Sequence, residues 1–152
     1  MGSGAVMRCP KCGFEFHRTE GIGFLFPRVY EEKIKKAKDG ELGDVLKDFF
    51  KKNPAGALNA ENITLCCDQC GALSGDMDLT MYTPKDKAKI SRETERKYVT
   101  GYELERDYSE VMKYPHKCKE CGGDMHRVSD SEALKCPECK VEMEVSGLMC
   151  WD

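Results

Sequence analysis

No apolar run in this chain is long enough to cross a bilayer. The longest, Ile22 to Phe26, falls far short of the ~20 residues a spanning helix needs. No apolar stretch follows the N-terminus, so a secretory leader is not expected. Motifs that mark common enzymes are missing as well. There is no GxxxxGK[ST], no HExxH, and no HxE followed by PCxxC. Gly21-x-Gly23 lacks the third glycine and the helix start that a nucleotide loop requires. A Cys-His nucleophile built on Cys66 or Cys150 has no supporting local sequence. Asp76 and Asp78 read as a solvated turn. The expectation is a protein that is not an enzyme and has no evident small-molecule substrate.

Aliphatic and aromatic core material is also scarce. Charged residues make up 34% of the 152 positions, and the 40% hydrophobic class includes ten cysteines. A chain of this kind is expected to rely on cross-links or metals to complete its core. Without export, the thiols should stay reduced, and the protein is expected to be cytoplasmic and metal-binding rather than disulfide-linked. The opening residues, Met1 to Val6, are small and featureless. They read as an appended segment ahead of Met7 and are left out of the fold expectation.

What the chain does have is four Cys-x-x-Cys pairs: Cys9/Cys12, Cys67/Cys70, Cys118/Cys121 and Cys136/Cys139. A two-residue spacer lets a tight turn aim both sulfurs at one point. A glycine after the second cysteine eases that turn and frees amides to bond sulfur. Gly13, Gly71 and Gly122 hold that place, whereas Lys140 follows Cys139. Eight thiolates fill two tetrahedral Zn²⁺ sites, and such closed sites are structural. The metal ligands expected are therefore Cys9, Cys12, Cys67, Cys70, Cys118, Cys121, Cys136 and Cys139. Iron is the alternative, since tetrathiolate sites hold either metal.

Spacing suggests how the pairs combine. Cys121 and Cys136 are separated by 14 residues, room for one hairpin, so the third and fourth pairs are expected to share a site. The first and second pairs would then share the other, across 54 residues. Closure entropy grows only slowly with such a length. Cys66 and Cys150 are left over and are expected to be buried free thiols. His17, His116 and His126 are expected at the surface.

Between the pairs, Gly21 to Phe26 reads as a strand closed by Pro27. Val29 to Lys38 reads as a helix stopped by Asp39-Gly40. A second helix carries Leu42, Val45, Leu46, Phe49 and Phe50 at core-facing intervals and ends at Asn53-Pro54. Asn62 to Cys67 and Leu79 to Thr83 read as strands. Thr100 and Glu103 form a capping box for a helix running through Leu104, Tyr108, Val111 and Met112. The expected fold class is α+β. Two small zinc-ribbon units with rubredoxin-like knuckles, the first carrying a two-helix insert, are joined by a helix. The expected divisions are 7–84, a charged linker and helix over 85–115, and a C-terminal ribbon over 116–152.

The CxxC-x14-CxxC segment resembles the zinc-ribbon class. The CPxCG form of the first knuckle is also similar to that of rubredoxin, an iron electron carrier, although Cys67-Asp68-Gln69-Cys70 lacks the proline. Gly21 to Pro27, Val29-Tyr30-Glu31-Glu32, Asn59 to Cys67 and Tyr114 to Cys118 resemble a group of small bacterial proteins with paired zinc knuckles. That resemblance implies a bacterial cytosolic protein and no particular activity.

The formal charge is −3. Each tetrathiolate zinc site adds −2, so two of them take the chain to −7, a poor general match for phosphate backbones. Lys85, Lys87, Lys89, Arg92, Arg96 and Lys97 form one basic-leaning stretch diluted by Asp86, Glu93 and Glu95. The expected role is a protein-interaction module with Tyr98, Tyr102, Tyr108, Tyr114 and Trp151 as aromatic anchors. A nucleic-acid-associated ribbon protein is the second reading.

Overall fold

Strands and helices follow one another along the chain in an order that builds three small sheets. The structure is a computed structural model and describes residues 2–86 and 98–151. Most of the basic-leaning stretch, from Lys87 to Lys97, lies outside the described residues.

The strands are β1 (Gly2–Arg8), β2 (Glu15–Glu20), β3 (Ala57–Leu58), β4 (Asn62–Cys67), β5 (Leu73–Met77), β6 (Met81–Pro84), β7 (Tyr108–Met112), β8 (Met125–Arg127) and β9 (Glu144–Trp151). The described helices are α1 (Phe26–Asp39), α2 (Asp44–Lys52) and α3 (Gly101–Asp107). All strand pairs are antiparallel, in three sheets ordered β2-β1-β9, β5-β4-β8 and β3-β6-β7. The class is α+β.

The chain divides into two compact units, neither of them continuous in sequence. The knuckle unit consists of Met1–Gly23, Asn62–Met77 and Pro115–Asp152. The helical unit consists of Phe24–Glu61 and Asp78–Tyr114. The consecutive spans 7–84, 85–115 and 116–152 do not follow this division. The chain leaves the knuckle unit twice, and the two excursions fold with each other.

In the helical unit the sequence signals hold for most elements. Gly40 ends α1 in the left-handed region at φ 86°, with its N–H on the Ala37 carbonyl, while the Glu41 N–H reaches the Lys36 carbonyl. This double bond to the last turn is what a C-terminal glycine makes possible. Leu46, Phe49 and Phe50 of α2 are buried as their i, i+3, i+4 spacing requires, and Phe49 and Phe50 meet edge to face at 5.1 Å. Thr100 and Glu103 form both halves of the capping box that starts α3.

Two readings change. Gly21 to Phe26 is not a strand. Only Gly21 bridges, to Asn62, and Phe26 already begins α1. Pro27 sits in the first helical turn, where its fixed φ and missing N–H carry no penalty, so it opens a helix instead of closing a strand. The helix after the capping box stops at Asp107. Tyr108 turns extended (φ −124°, ψ 158°), and Tyr108–Met112 pairs with β6. Its apolar spacing was not a core stripe, since Val111 and Met112 are exposed. Pairing with β6 satisfies the backbone of a Tyr- and Val-bearing segment, which outweighs a short helical period.

In the knuckle unit, β1 is the central strand of its sheet, paired with β2 on one side and β9 on the other. Residues 2–6, set aside on composition, therefore form part of the sheet. Small side chains suit a strand flanked on both edges. The core here contains Met7, Cys9, Val128, Leu134, Cys136 and Met143, with Phe14, Phe16 and Val141 packed against it.

Leu46 is fully buried in the helical unit. Leu46→Ala is expected to lower unfolding free energy by about 2–5 kcal/mol, read as a drop in the denaturant midpoint with the metal content unchanged.

Candidate metal centres

Each Cys-x-x-Cys pair sits on the same small turn. In the first, the Cys9 N–H donates to the Phe14 carbonyl (2.8 Å) and the Gly13 N–H to the Cys9 carbonyl (3.0 Å). The same two bonds recur as Cys67 to Ala72 with Gly71 to Cys67, as Cys118 to Gly123 with Gly122 to Cys118, and as Cys136 to Val141 with Lys140 to Cys136. The residue after the second cysteine is left-handed every time: Gly13 φ 78°, Gly71 φ 74°, Gly122 φ 75° and Lys140 φ 62°. Lys140 thus adopts the glycine conformation, and its Nζ donates to the Cys70 carbonyl at 2.9 Å. In each pair the first cysteine is buried, while the second is half-buried or exposed.

The four turns bring their sulfurs together in two groups. Cys9, Cys12, Cys136 and Cys139 form an outer centre; Cys67, Cys70, Cys118 and Cys121 form an inner one. Within each, the sulfurs lie within 4.8 Å of one another. All eight expected ligands are therefore in clusters, but the expected pairing of knuckles is corrected. First joins fourth and second joins third. Cys9/Cys12 does not meet Cys67/Cys70, nor Cys118/Cys121 Cys136/Cys139. Strand pairing decides this, and the spacing between knuckles does not. β8 leaves the third knuckle directly and pairs with β4, which runs into the second knuckle. β9 leaves the fourth and pairs with β1, which runs into the first. Residues 129–134 form a loop that separates the two knuckles instead of a hairpin that joins them. The signal available in the sequence was the uncharged run Gly147 to Trp151, a strand in need of a partner, together with the small residues before Met7.

The donor geometry fits a tetrahedral ion. A Zn–S distance of ~2.3 Å places sulfurs about 3.8 Å apart. The outer centre has Cys9–Cys139 at 3.2 Å, Cys12–Cys136 at 3.6 Å and Cys139–Cys12 at 3.9 Å. The inner centre has Cys67–Cys121 at 3.5 Å and Cys70–Cys118 at 3.6 Å. All ten cysteines are free thiols. Backbone amides support the sulfurs: Gln69 and Cys70 N–H groups reach Cys67 Sγ at 3.4 and 3.5 Å, and the Gly123 N–H reaches Cys121 Sγ at 3.4 Å.

Those amides bear on protonation. The Cys12 amide, helped by the Cys139 thiol and the Lys11 amide, lowers Cys9 to about 6. The Cys70 amide, then that of Gln69, does the same for Cys67, also to about 6. The Phe14 amide pulls Cys12 down, but burial and three neighbouring sulfurs outweigh it and push the thiol up to about 12. Cys70 is pushed up to about 12 in the same way, the Ala72 amide being outweighed. Without a cation, then, Cys9 and Cys67 ionise more readily, and the neighbouring sulfurs oppose ionisation of Cys12 and Cys70. A divalent ion removes that opposition and releases the remaining protons.

The remaining candidates stand apart from both clusters. Cys66 is half-buried with its thiol pushed up by burial. Cys150, expected to be buried, is exposed, because it alternates onto the same open face of β9 as Leu148. His17 is exposed, whereas His116 and His126 are half-buried. The His126 ring lies between two carboxylates, Nδ1 2.6 Å from Asp68 and Nε2 2.8 Å from Glu132. Trp151 is half-buried, its Nε1–H donating to the Ser3 carbonyl. Among the described residues no helix is long and apolar enough to cross a membrane.

The two four-cysteine centres are positioned to bind metal. No protein-family model matches this chain, and no similarity to a curated protein or to a solved structure was found.

Gly122→Ala isolates the conformational demand of the knuckle, since a Cβ there would meet no atom within 4 Å. The left-handed φ alone is expected to cost about 1–2 kcal/mol, measured as a lower melting temperature with two metal ions still bound. His126→Gln tests the carboxylate bridge. Glu132, then Asp68, raises His126 above its ordinary 6.5. The His126 contribution is thus complete below 6.5 and is lost as pH rises through the raised value. Glu132 is lowered from 4.5 by His126, so its contribution is complete above 4.5 and is lost in acid. Solvent exposure of all three groups holds the sum to under about 1 kcal/mol. The stability gap between wild type and His126→Gln should be widest near pH 5.5 and shrink by pH 9 in urea titrations.

Proposed function

We propose that this protein is a cytoplasmic zinc protein with two structural tetrathiolate sites, each the centre of a zinc-ribbon unit, and that it serves as a non-catalytic protein-interaction module. The observation that carries the reading is the closed donor set: each centre holds four cysteine sulfurs. Four thiolates fill a tetrahedral zinc and leave no position for substrate or activated water. In both centres a long hairpin supplies one knuckle, and a short hairpin followed by a third strand supplies the other. That arrangement supports the ribbon reading and leaves metal chemistry in a holding role. Zinc is preferred to iron because the inner knuckles lack the proline of the electron-carrier pattern, at Asp68-Gln69 and Lys119-Glu120, and the outer centre, which has Pro10 and Pro137, departs from it at Lys140. Kinship with the bacterial paired-knuckle group rests on the sequence stretches alone.

The interaction role draws support from exposed aromatic surface in the helical unit. Phe24 is 81% exposed and Tyr102 70%, with the Arg106 guanidinium 5.3 Å from the Tyr102 ring centre. Tyrosine and arginine together are common energetic anchors of protein interfaces. The alternative, nucleic-acid association, is disfavoured by the net negative charge.

Elemental analysis of the purified protein is expected to give two zinc per chain. Complete chelation should abolish the cooperative melt and the native circular dichroism, because metal binding and folding share one free energy at such sites. Fewer than two metals, a red iron-containing protein, or an unchanged melt after full removal would each contradict the reading. Affinity capture from the native cell with and without nuclease separates the two roles. Partners that survive nuclease favour the protein module, and partners lost on treatment favour nucleic acid.

A further inference from the structure

The two centres are held to the fold unequally. In the outer centre the fourth knuckle runs directly into β9, which pairs with β1 at seven positions, Gly2↔Trp151 to Arg8↔Glu144. In the inner centre the third knuckle runs into β8, which pairs with β4 at three positions, Leu65↔Arg127 to Cys67↔Met125. Two backbone bonds, Asp68 N–H to the Asp124 carbonyl and Val128 N–H to the Thr64 carbonyl, add to that attachment, with side-chain contacts from His126 to Asp68, His116 to Asp76, Met125 to Ser74 and Arg127 to Glu20.

Each centre has two buried cysteines, one half-buried and one exposed, so the difference lies in what surrounds them. Cys9 and Cys136 of the outer centre belong to the hydrophobic core with Met7, Leu134 and Met143, and Cys139 packs against it. None of the four inner cysteines belongs to that core. Cys121 at the tip of the third knuckle is exposed, as Cys12 is in the outer centre, so exposure of the sulfurs does not separate the two.

Local opening is limited by the contacts it must break. Freeing the fourth knuckle disrupts a seven-position ladder and bares core side chains. Freeing the third undoes a three-position ladder and bares Cys118, with Val128 at the far end of the strand its one contact with that core. We propose that the inner centre, Cys67/Cys70/Cys118/Cys121, is an exchangeable metal site, and that the outer centre holds its metal permanently. Opening of the 116–124 hairpin lets Zn²⁺ pass to an acceptor bearing thiol, imidazole or carboxylate donors. The ion keeps its charge, no residue is oxidised, and the freed thiolates take protons from solvent. The outer centre meanwhile keeps the β2-β1-β9 sheet closed. This inference rests on the zinc reading above.

The test uses the full-length zinc-loaded protein with 4-(2-pyridylazo)resorcinol as acceptor. Release is expected in two phases, the first equivalent leaving on the order of tenfold faster than the second. Brief iodoacetamide treatment after one equivalent has left, with mass mapping, should modify Cys118 and Cys121 and spare Cys9 and Cys136. Exposed Cys150 reacts throughout and reports that the reagent is active. As a second arm, Cys121→Ser should retain one zinc and a cooperative melt. Modification of Cys9 and Cys136 first, simultaneous modification of all eight ligands, or loss of both zinc ions in Cys121→Ser would overturn the inference while leaving the two-zinc reading intact. Protein that never holds two equivalents of zinc would overturn both.

Discussion

The pairing of β1 with β9 closes the chain on itself, and the rest of the knuckle unit depends on that closure. It carries the fourth knuckle back to the first across nearly the whole sequence. It also makes β1 a central strand and encloses Met7, Cys9, Cys136 and Met143 in a common core. Within it, β4 and β8 repeat the arrangement at shorter range and bring the third knuckle to the second. The two centres are therefore nested, the inner one closing inside the loop of the outer. In both, the strand that enters the first knuckle is the central strand of its sheet.

This geometry concentrates sulfur where charge is hard to hold. The first cysteine of each knuckle is buried, and amides pointing at Cys9 and Cys67 favour their ionised forms. Their neighbours Cys12 and Cys70 are driven the other way by the same proximity. A cation of charge two resolves the conflict, which is why a thin-cored chain of 34% charged residues is well served by metal. The helical unit carries neither four-cysteine cluster, and its core is aliphatic and aromatic. Leu46, Phe49, Phe50 and Leu104 are buried there by ordinary amphipathic packing.

Local chemistry was legible in the sequence wherever a few adjacent residues decide the outcome. Gly40 ending α1, the Thr100–Glu103 box and the strand-forming stretch Asn62–Cys67 all act within one turn or one strand. Pro27 and the Tyr108 segment were misread because each motif is compatible with two local structures. A neighbouring strand or the helix ahead chose between them. The departure at Lys140 proved a departure in residue type only, since its backbone follows the glycines at the other three knuckles.

The sequence by itself determined that four identical turns would form and that eight sulfurs would be their working atoms. Each turn needs only two cysteines, a short spacer and one residue able to go left-handed. Which turn meets which was decided only by the tertiary structure. A knuckle supplies half of a tetrahedron and has no means of selecting its other half. That selection belongs to the strands leaving the third and fourth knuckles, whose partners lie far away along the chain in β4 and β1, and the spacing between cysteines carries no record of it.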